Sequence, residues 1–228
     1  MAGVPPRIDA LAFDLDGTLI DTAPDICAAL NAALVAQGLA AVALSAVRGW
    51  IGDGPDQLIE RALAQQGIEM QPALHQALRE GFDGATLATP MQRGGVFEGL
   101  EALLVGWQAR LPMVVVTNKP TPLSRRVLEA AGLLHYFRAV FGADRPDLRK
   151  PGPALLQAAA AHLKVVPARL LMVGDSGNDL RCADAAGCPA VWVAWGYGRR
   201  DAPAGMEVLC ADSPADLATH IELGRHCR

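Results

Sequence analysis

The chain has 228 residues, is 51% hydrophobic and carries a net charge of −4 with a pI of about 5.7. That is enough apolar material for one sizeable core, or for one core plus a small accessory domain. The 20 Lys and Arg are scattered, which excludes a nucleic-acid binder, because affinity for a phosphate backbone comes from clustered basic residues. No uninterrupted apolar run of about 18 residues occurs, so no membrane-spanning helix is expected. Five cysteines (Cys27, Cys182, Cys188, Cys210 and Cys227) contain no C-x-x-C pair and read as reduced thiols of a cytoplasmic protein. Met1 to Arg7 is not read as a signal peptide, since the apolar run that follows is cut short by Asp14.

The apolar run 8–13 predicts a buried strand that ends in Phe13-Asp14-Leu15-Asp16-Gly17-Thr18. Such a strand delivers Asp14 and Asp16 to its C-terminal edge, with Leu15 directed elsewhere. Gly17 lets the chain leave tightly, and Thr18 can hydrogen-bond back to hold the loop. Two like charges this close repel each other unless a cation sits between them. An EF-hand is excluded: its glycine belongs at the sixth position and its Glu at the twelfth, whereas here Gly17 is fourth and Asp25 is twelfth. An Asp- and Gly-rich surface turn is the plain alternative, and the motifs further along decide against it.

After Thr18 the periodicity changes to helical. Pro24 and Asp25 open a run with Ile26, Ala29, Leu30, Ala33 and Leu34 on one face, closed by Gly38. Ser45 can cap a second segment. Trp50-Ile51-Gly52-Asp53-Gly54-Pro55 is a tight loop, followed by a helix bearing Leu58, Ile59, Ala62 and Leu63; Pro72 starts another through Leu74, Ala77, Leu78 and Phe82. Successive amphipathic helices with no strand among them read as an inserted helical unit, residues 21–92, with 88–95 as the return linker.

Strands and helices then alternate: helix 100–107, strand 113–118, helix 122–131, strand 139–143, helix 153–162, strand 170–175, helix 180–186, strand 190–195 and a final helix from Ser213-Pro214. Repeats of this length imply an α/β fold, a doubly wound parallel sheet covered on both faces, with ligands at the carboxyl ends of the strands. The buried segments finish in Asp14 and Asp16, in Thr117 and Asn118, near Lys150, and in Asp175 with Asp179. Carboxylates, an ammonium, a hydroxyl and an amide converging on one sheet edge form the inventory for gripping a divalent metal and a phosphoryl group together.

Four ordered motifs carry a resemblance: Asp14-Leu15-Asp16-Gly17-Thr18, Thr117-Asn118, Lys150-Pro151-Gly152-Pro153 and Gly174-Asp175-Ser176-Gly177-Asn178-Asp179. The chain resembles haloacid dehalogenase superfamily phosphatases over nearly its whole length. Trp50 to Gly54, Ala185-Ala186-Gly187-Cys188-Pro189 and Trp195-Gly196-Tyr197-Gly198 make it most similar to the phosphoglycolate phosphatases among them. The resemblance implies a Rossmann-like core, residues 1–20 and 93–228, with 21–92 as a mobile α-helical cap. It implies Mg²⁺ held by Asp14, Asp175 and the backbone carbonyl of Asp16, with Asp179 behind them orienting waters or Lys150. Asp14 is then the nucleophile and Asp16 the general acid and base, while Thr117, the Asn118 N–H and Lys150 bind the phosphoryl oxygens. The plain reading of Asp179 is an acid at a helix start, favourable without catalytic duty. Asp21 and Asp53 read as turn or cap residues.

The implied substrate is a small anionic phosphate monoester, with 2-phosphoglycolate first. With no lysine in the cap, the cations available for a carboxylate are Arg48, Arg61 and Arg79, and Arg48 lies beside the loop where Gly52 and Gly54 allow close approach to a small ligand. Asp16 weighs against a dehalogenase, and the lysine-free cap weighs against a phosphonatase. A phosphomutase, a phosphatase of another metabolite and a catalytically silent binding protein on the same fold remain alternatives. The sequence is silent on oligomeric state.

Overall fold

The computed structural model describes residues 7–226. Met1 to Pro6, most of the stretch judged above for a signal peptide, and Cys227 lie outside the described residues. The elements run β1 (Ala10–Phe13), β2 (Ile20–Asp21), α1 (Ala23–Ala36), α2 (Leu44–Arg48), α3 (Pro55–Gln65), α4 (Pro72–Ala88), β3 (Gly95–Val96), α5 (Leu100–Trp107), β4 (Met113–Thr117), α6 (Thr121–Ala130), β5 (Ala139–Gly142), α7 (Ala154–Leu163), β6 (Leu170–Gly174), α8 (Gly177–Ala186), β7 (Ala190–Val193), β8 (Leu209–Ala211) and α9 (Pro214–His226).

Six strands form one parallel sheet in the order β5-β4-β1-β6-β7-β8, so β1 lies between β4 and β6, where the strand order reverses. A β1 buried on both faces needs apolar residues at every position, and Ala10-Leu11-Ala12-Phe13 supplies them. Alternation sends Leu11 and Phe13 into a core shared with Leu104, Leu128 and Ile221 of α5, α6 and α9. Ala10 and Ala12 face the other way, against Leu156 and Ala159 of α7 and Leu180 and Ala183 of α8. The small side chains on that side let two helices lie close to the sheet.

Helices α1 to α4 follow β2 and precede β3, and their apolar faces meet each other in a separate cluster built on Leu30, Leu34, Ile59, Leu63 and Leu78. One α6 residue, Leu123, joins that cluster, so the helical unit touches the core through α6. Glycine at Gly81 serves the α1–α4 contact, since a Cβ there would stand 3.1 Å from the Ala33 Cβ.

Three features depart from the sequence reading. Ile20–Asp21 and Gly95–Val96 pair as a two-stranded antiparallel ladder at the neck of the helical unit, too short for a periodicity signal. Ser45 sits inside α2, whose N-cap is Ala43. Strand β8 was not expected, because three residues after a Gly- and Pro-containing stretch give no strand pattern.

Ala12 is fully buried in the tighter of the two layers. Ala12→Leu is expected to destabilise the protein by about 1–3 kcal/mol through overpacking, measured as a lower urea midpoint with an unchanged slope.

Candidate active site

Asp14 follows β1 directly, and its N–H donates to the Val173 carbonyl (2.9 Å), which fixes it beside the end of β6. The chain then turns at Gly17, whose φ of +88° is unfavourable for a residue with a side chain. A Cβ at Gly17 would also stand 2.6 Å from Asp175 Oδ2, so the glycine is needed for space as well as for the turn. The Thr18 hydroxyl donates to Asp175 Oδ1 (3.3 Å). From the loop after β7, the N–H groups of Tyr197 and Gly198 donate to Asp175 Oδ2 at 2.7 and 3.0 Å.

Lys150 is buried and points its ammonium at Asp14 Oδ1 (2.8 Å), Asp179 Oδ1 (2.6 Å) and the Val116 carbonyl (3.0 Å). Asp179 uses its other oxygen to accept from the Ser176 N–H (3.0 Å) and hydroxyl (2.7 Å) at the start of α8. It is therefore both the acid at a helix start and the partner that aims Lys150. Burial pushes the Asp14 carboxyl up to about 7, with Lys150 opposing the shift and Asp179 and Asp175 adding to it. Burial and Asp179 raise Asp175 to about 6 against the two backbone N–H donors. Burial pulls the Lys150 ammonium down, but Asp14 and Asp179 outweigh it and hold the value above the ordinary one.

These groups fit a divalent cation. Asp14, Asp175 and Asp179 each bring a carboxylate oxygen within 4.8 Å of the others, and all three residues are buried. Beside one ammonium they leave two negative charges in excess. Asp14 Oδ1 lies 2.8 Å from the Lys150 ammonium and has no hydrogen-bond partner. Hard oxygen donors of this kind suit Mg²⁺ or Ca²⁺ rather than softer metals. Asp179 and Asp175 each have both oxygens engaged by protein donors, whereas Asp14 Oδ1 accepts no hydrogen bond.

Asp16 points away from this cluster. Both its oxygens accept from Lys119 Nζ, at 2.8 and 2.7 Å, and Oδ1 also accepts from the Thr22 hydroxyl (2.6 Å). Lys119 was not singled out in the sequence; its signal was a lysine one residue beyond the Thr117-Asn118 strand end. Thr117 is buried, and its Oγ accepts from the Lys119 N–H (3.3 Å). The Asn118 side chain is a brace: it donates to the Gly52 carbonyl (2.8 Å) and the Lys150 carbonyl (3.0 Å) and accepts from the Lys150 N–H (2.7 Å). Asn178 donates to Asp53 Oδ1 (2.6 Å) and to the Gly52 carbonyl (3.3 Å), so Asp53, read as a turn residue, also docks the 50–55 loop onto α8. Gly54 caps α3 with φ +88°, and a Cβ there would meet the Asn118 carbonyl at 3.1 Å.

A narrow cleft lies between the strand ends and the helical unit, with Asp14, Asp16, Thr117, Asn118 and Lys119 on the sheet side. Gly52 and Gly54 also line it. Arg48 does not. Its guanidinium is half-exposed, pairs with Asp21 (3.3 Å) and lies 5.9 Å from the centre of the Tyr197 ring. Helix α2 places this arginine at the neck, outside the cleft. Arg61 is bound to the Trp50 carbonyl (2.8 Å) and to Asp53, and Arg79 to Asp56 (2.6 Å) and Asp83 (2.9 Å).

A parallel sheet with buried carboxylates and a lysine at its carboxyl edge, under an inserted helical unit, defines a hydrolase of the haloacid dehalogenase type. The haloacid dehalogenase-like hydrolase family matches residues 11–193, and the chain belongs to it. It is 44% identical over 191 residues to the phosphoglycolate phosphatase of Pectobacterium atrosepticum, covering 83% of this chain and 82% of the other. It is 40% identical over 218 residues to that of Yersinia pseudotuberculosis, covering 95% and 94%. Among solved structures, a predicted phosphoglycolate phosphatase from Haemophilus somnus 129PT superposes with a TM-score of 0.84 at 29% identity, covering 93% and 97%. The protein is a phosphatase by these relationships.

The raised carboxyls set a pH dependence for the metal-free protein. Folded Asp14 and Asp175 keep protons that the unfolded chain, with ordinary values near 3.8, has already released. The folded state therefore binds more protons between pH 3.8 and about 7, and stability falls as pH rises through that window. Asp9 and Asp56, whose values are lowered, act on stability only below it. In EDTA the urea midpoint is expected to be lower at pH 7.5 than at pH 4.5, with a smaller difference in Asp175→Asn; equal differences in both proteins would contradict the assignment.

Proposed function

We propose that the protein is a Mg²⁺-dependent phosphatase of small phosphate monoesters, with 2-phosphoglycolate as its first substrate. The observation that carries this reading is the buried set Asp14, Asp175 and Asp179 around Lys150, in a chain whose relatives at about 40% identity are phosphoglycolate phosphatases. Mg²⁺ would be held by Asp14, Asp175 and the Asp16 carbonyl, and when bound it neutralises the excess charge of the site and of the phosphoryl oxygens.

The chain's own residues divide the remaining work. Asp14 is the carboxylate at the bottom of the cleft, and one of its oxygens attacks phosphorus as the bond to the ester oxygen breaks. Asp16 gives its proton to the departing alkoxide, then takes one from the water that attacks the aspartyl-phosphate and releases inorganic phosphate from Asp14. Lys150, Thr117 and the Asn118 N–H bind the phosphoryl oxygens, and Asp179 keeps Lys150 aimed. Residues 21–92 act as a cap that closes over the ester and excludes water. Free thiols at Cys27, Cys182, Cys188 and Cys210 fit a reducing compartment, the cytoplasm.

Phosphate release from 2-phosphoglycolate is expected to require Mg²⁺ and to stop in EDTA. Asp14→Asn is expected to abolish turnover and the acid-stable phosphoenzyme while the circular dichroism spectrum is kept; near-normal activity would sink the mechanism. Asp16→Asn is expected to lose more activity on an alkyl phosphate than on p-nitrophenyl phosphate, whose leaving group needs less protonation, when the first turnover is followed. Equal losses on the two esters would remove Asp16 as the general acid.

A further inference from the structure

The proposed substrate carries a carboxylate one carbon from its ester oxygen, and a carboxylate closed into a dry cleft needs a cation. The three arginines of the helical unit named above are committed elsewhere: Arg48 to Asp21, Arg61 to Asp53 and Arg79 to Asp56 and Asp83. Lys150 is surrounded by Asp14, Asp179 and the Val116 carbonyl. Among the described residues lining the cleft, Lys119 is the cation, with its side chain 5% exposed. The wall it faces across the cleft is apolar, formed by Ile26, Ile51, Leu58 and Phe82. An anionic group of the ligand has one partner there.

Resting on the reading given under Proposed function, we propose that Lys119 is the specificity-determining residue, binding the carboxylate of the substrate, and that it does so by leaving Asp16. Its present partner is a carboxylate gripped through both oxygens, the same chemical group it would take from the substrate. While that grip lasts, both Asp16 oxygens accept from one ammonium, and neither is free to face a leaving group. A carboxylate-bearing ester turns the ammonium toward itself and frees an Asp16 oxygen, which takes a proton from solvent and then passes it to the departing alkoxide. Recognition is thereby coupled to the chemical step, so the carboxylate should raise kcat as well as lower KM. Lys119 lies two residues beyond Thr117 and touches Asp16, both at the phosphoryl end of the cleft. Only a carboxylate close to the phosphorus can reach it, which favours a two-carbon acid over a longer one.

The test compares 2-phosphoglycolate with 2-hydroxyethyl phosphate, an ester of similar length in which a neutral alcohol replaces the carboxylate. Wild type is expected to favour phosphoglycolate in kcat/KM by at least about 10-fold, the scale of one charge-assisted hydrogen bond. Lys119→Met is expected to erase most of that preference, with a higher KM for phosphoglycolate and a higher kcat for 2-hydroxyethyl phosphate, because Asp16 is then no longer held. Lys119→Gln, whose amide can still donate to Asp16, is read through a higher KM for phosphoglycolate and covers a Met variant that does not fold. Equal losses on the two esters would overturn the inference and leave Lys119 as a residue that only holds Asp16. A wild type without preference for phosphoglycolate would instead overturn the substrate assignment itself.

Discussion

Three carboxylates and one ammonium are buried together at the carboxyl edge of the sheet, and the rest of the molecule is arranged to tolerate this. Charges taken out of water without full pairing destabilise a fold by several kcal/mol in ordinary settings. Here the strain is spread: Lys150 serves two acids, α8 supplies donors to Asp179, and the loop after β7 supplies two backbone N–H groups to Asp175. Asp14 Oδ1 accepts no hydrogen bond, although the Lys150 ammonium stands 2.8 Å from it. A group that is least satisfied where reaction occurs keeps its affinity for a cation or an electrophile.

The neck of the helical unit shares its anchors with this cluster. Tyr197 donates its N–H to Asp175, while its hydroxyl donates to Asp21 (2.6 Å) and accepts from the Ala23 N–H (3.0 Å) at the start of α1. On the opposite side, Asn118 and Asn178 both donate to the Gly52 carbonyl. A rotation of the helices about the short β2–β3 ladder would therefore pull on the residues that set Asp175 and Lys150. Position of the cap and geometry of the acids are linked through a few hydrogen bonds rather than through an extended apolar interface, with Leu123 the α6 residue in the helical cluster.

The fold was legible because the strands at its centre are buried on both sides. Val114, Val115 and Val116, or Leu170 to Val173, can only be strands of a covered parallel sheet, and their ends locate Thr117 and Asp175 without further information. Asp14 follows β1 in the same way. The residues missed are those whose partners lie far away in sequence. Lys119 meets Asp16 across 103 positions and Tyr197 meets Asp21 across 176, and no local pattern distinguishes such side chains from solvated ones. Arg48 shows the limit of sequence proximity: it precedes the Trp50 to Pro55 loop, yet α2 turns its guanidinium toward Asp21 at the neck. Strand β8 and the β2–β3 ladder are formed by pairing, not by propensity, so short segments with neutral patterns adopt them.

The overall charge of −4 gives no help in attracting an anion, and the site residues themselves are in negative excess. A phosphate monoester with a second acid group must therefore be held by charges that were already paired before it came. The Asp16–Lys119 pair has this property, because it is neutral as a unit and separates into a carboxylate and a cation when a competing carboxylate arrives. A cation left unpaired in the same cleft would be costly to bury and would bind any passing anion. Pairing it with the general acid makes the cation available to a ligand that presents a carboxylate, and it releases the acid in the same event. Specificity and proton transfer then reside in one pair of side chains, on strand ends whose positions the sheet fixes.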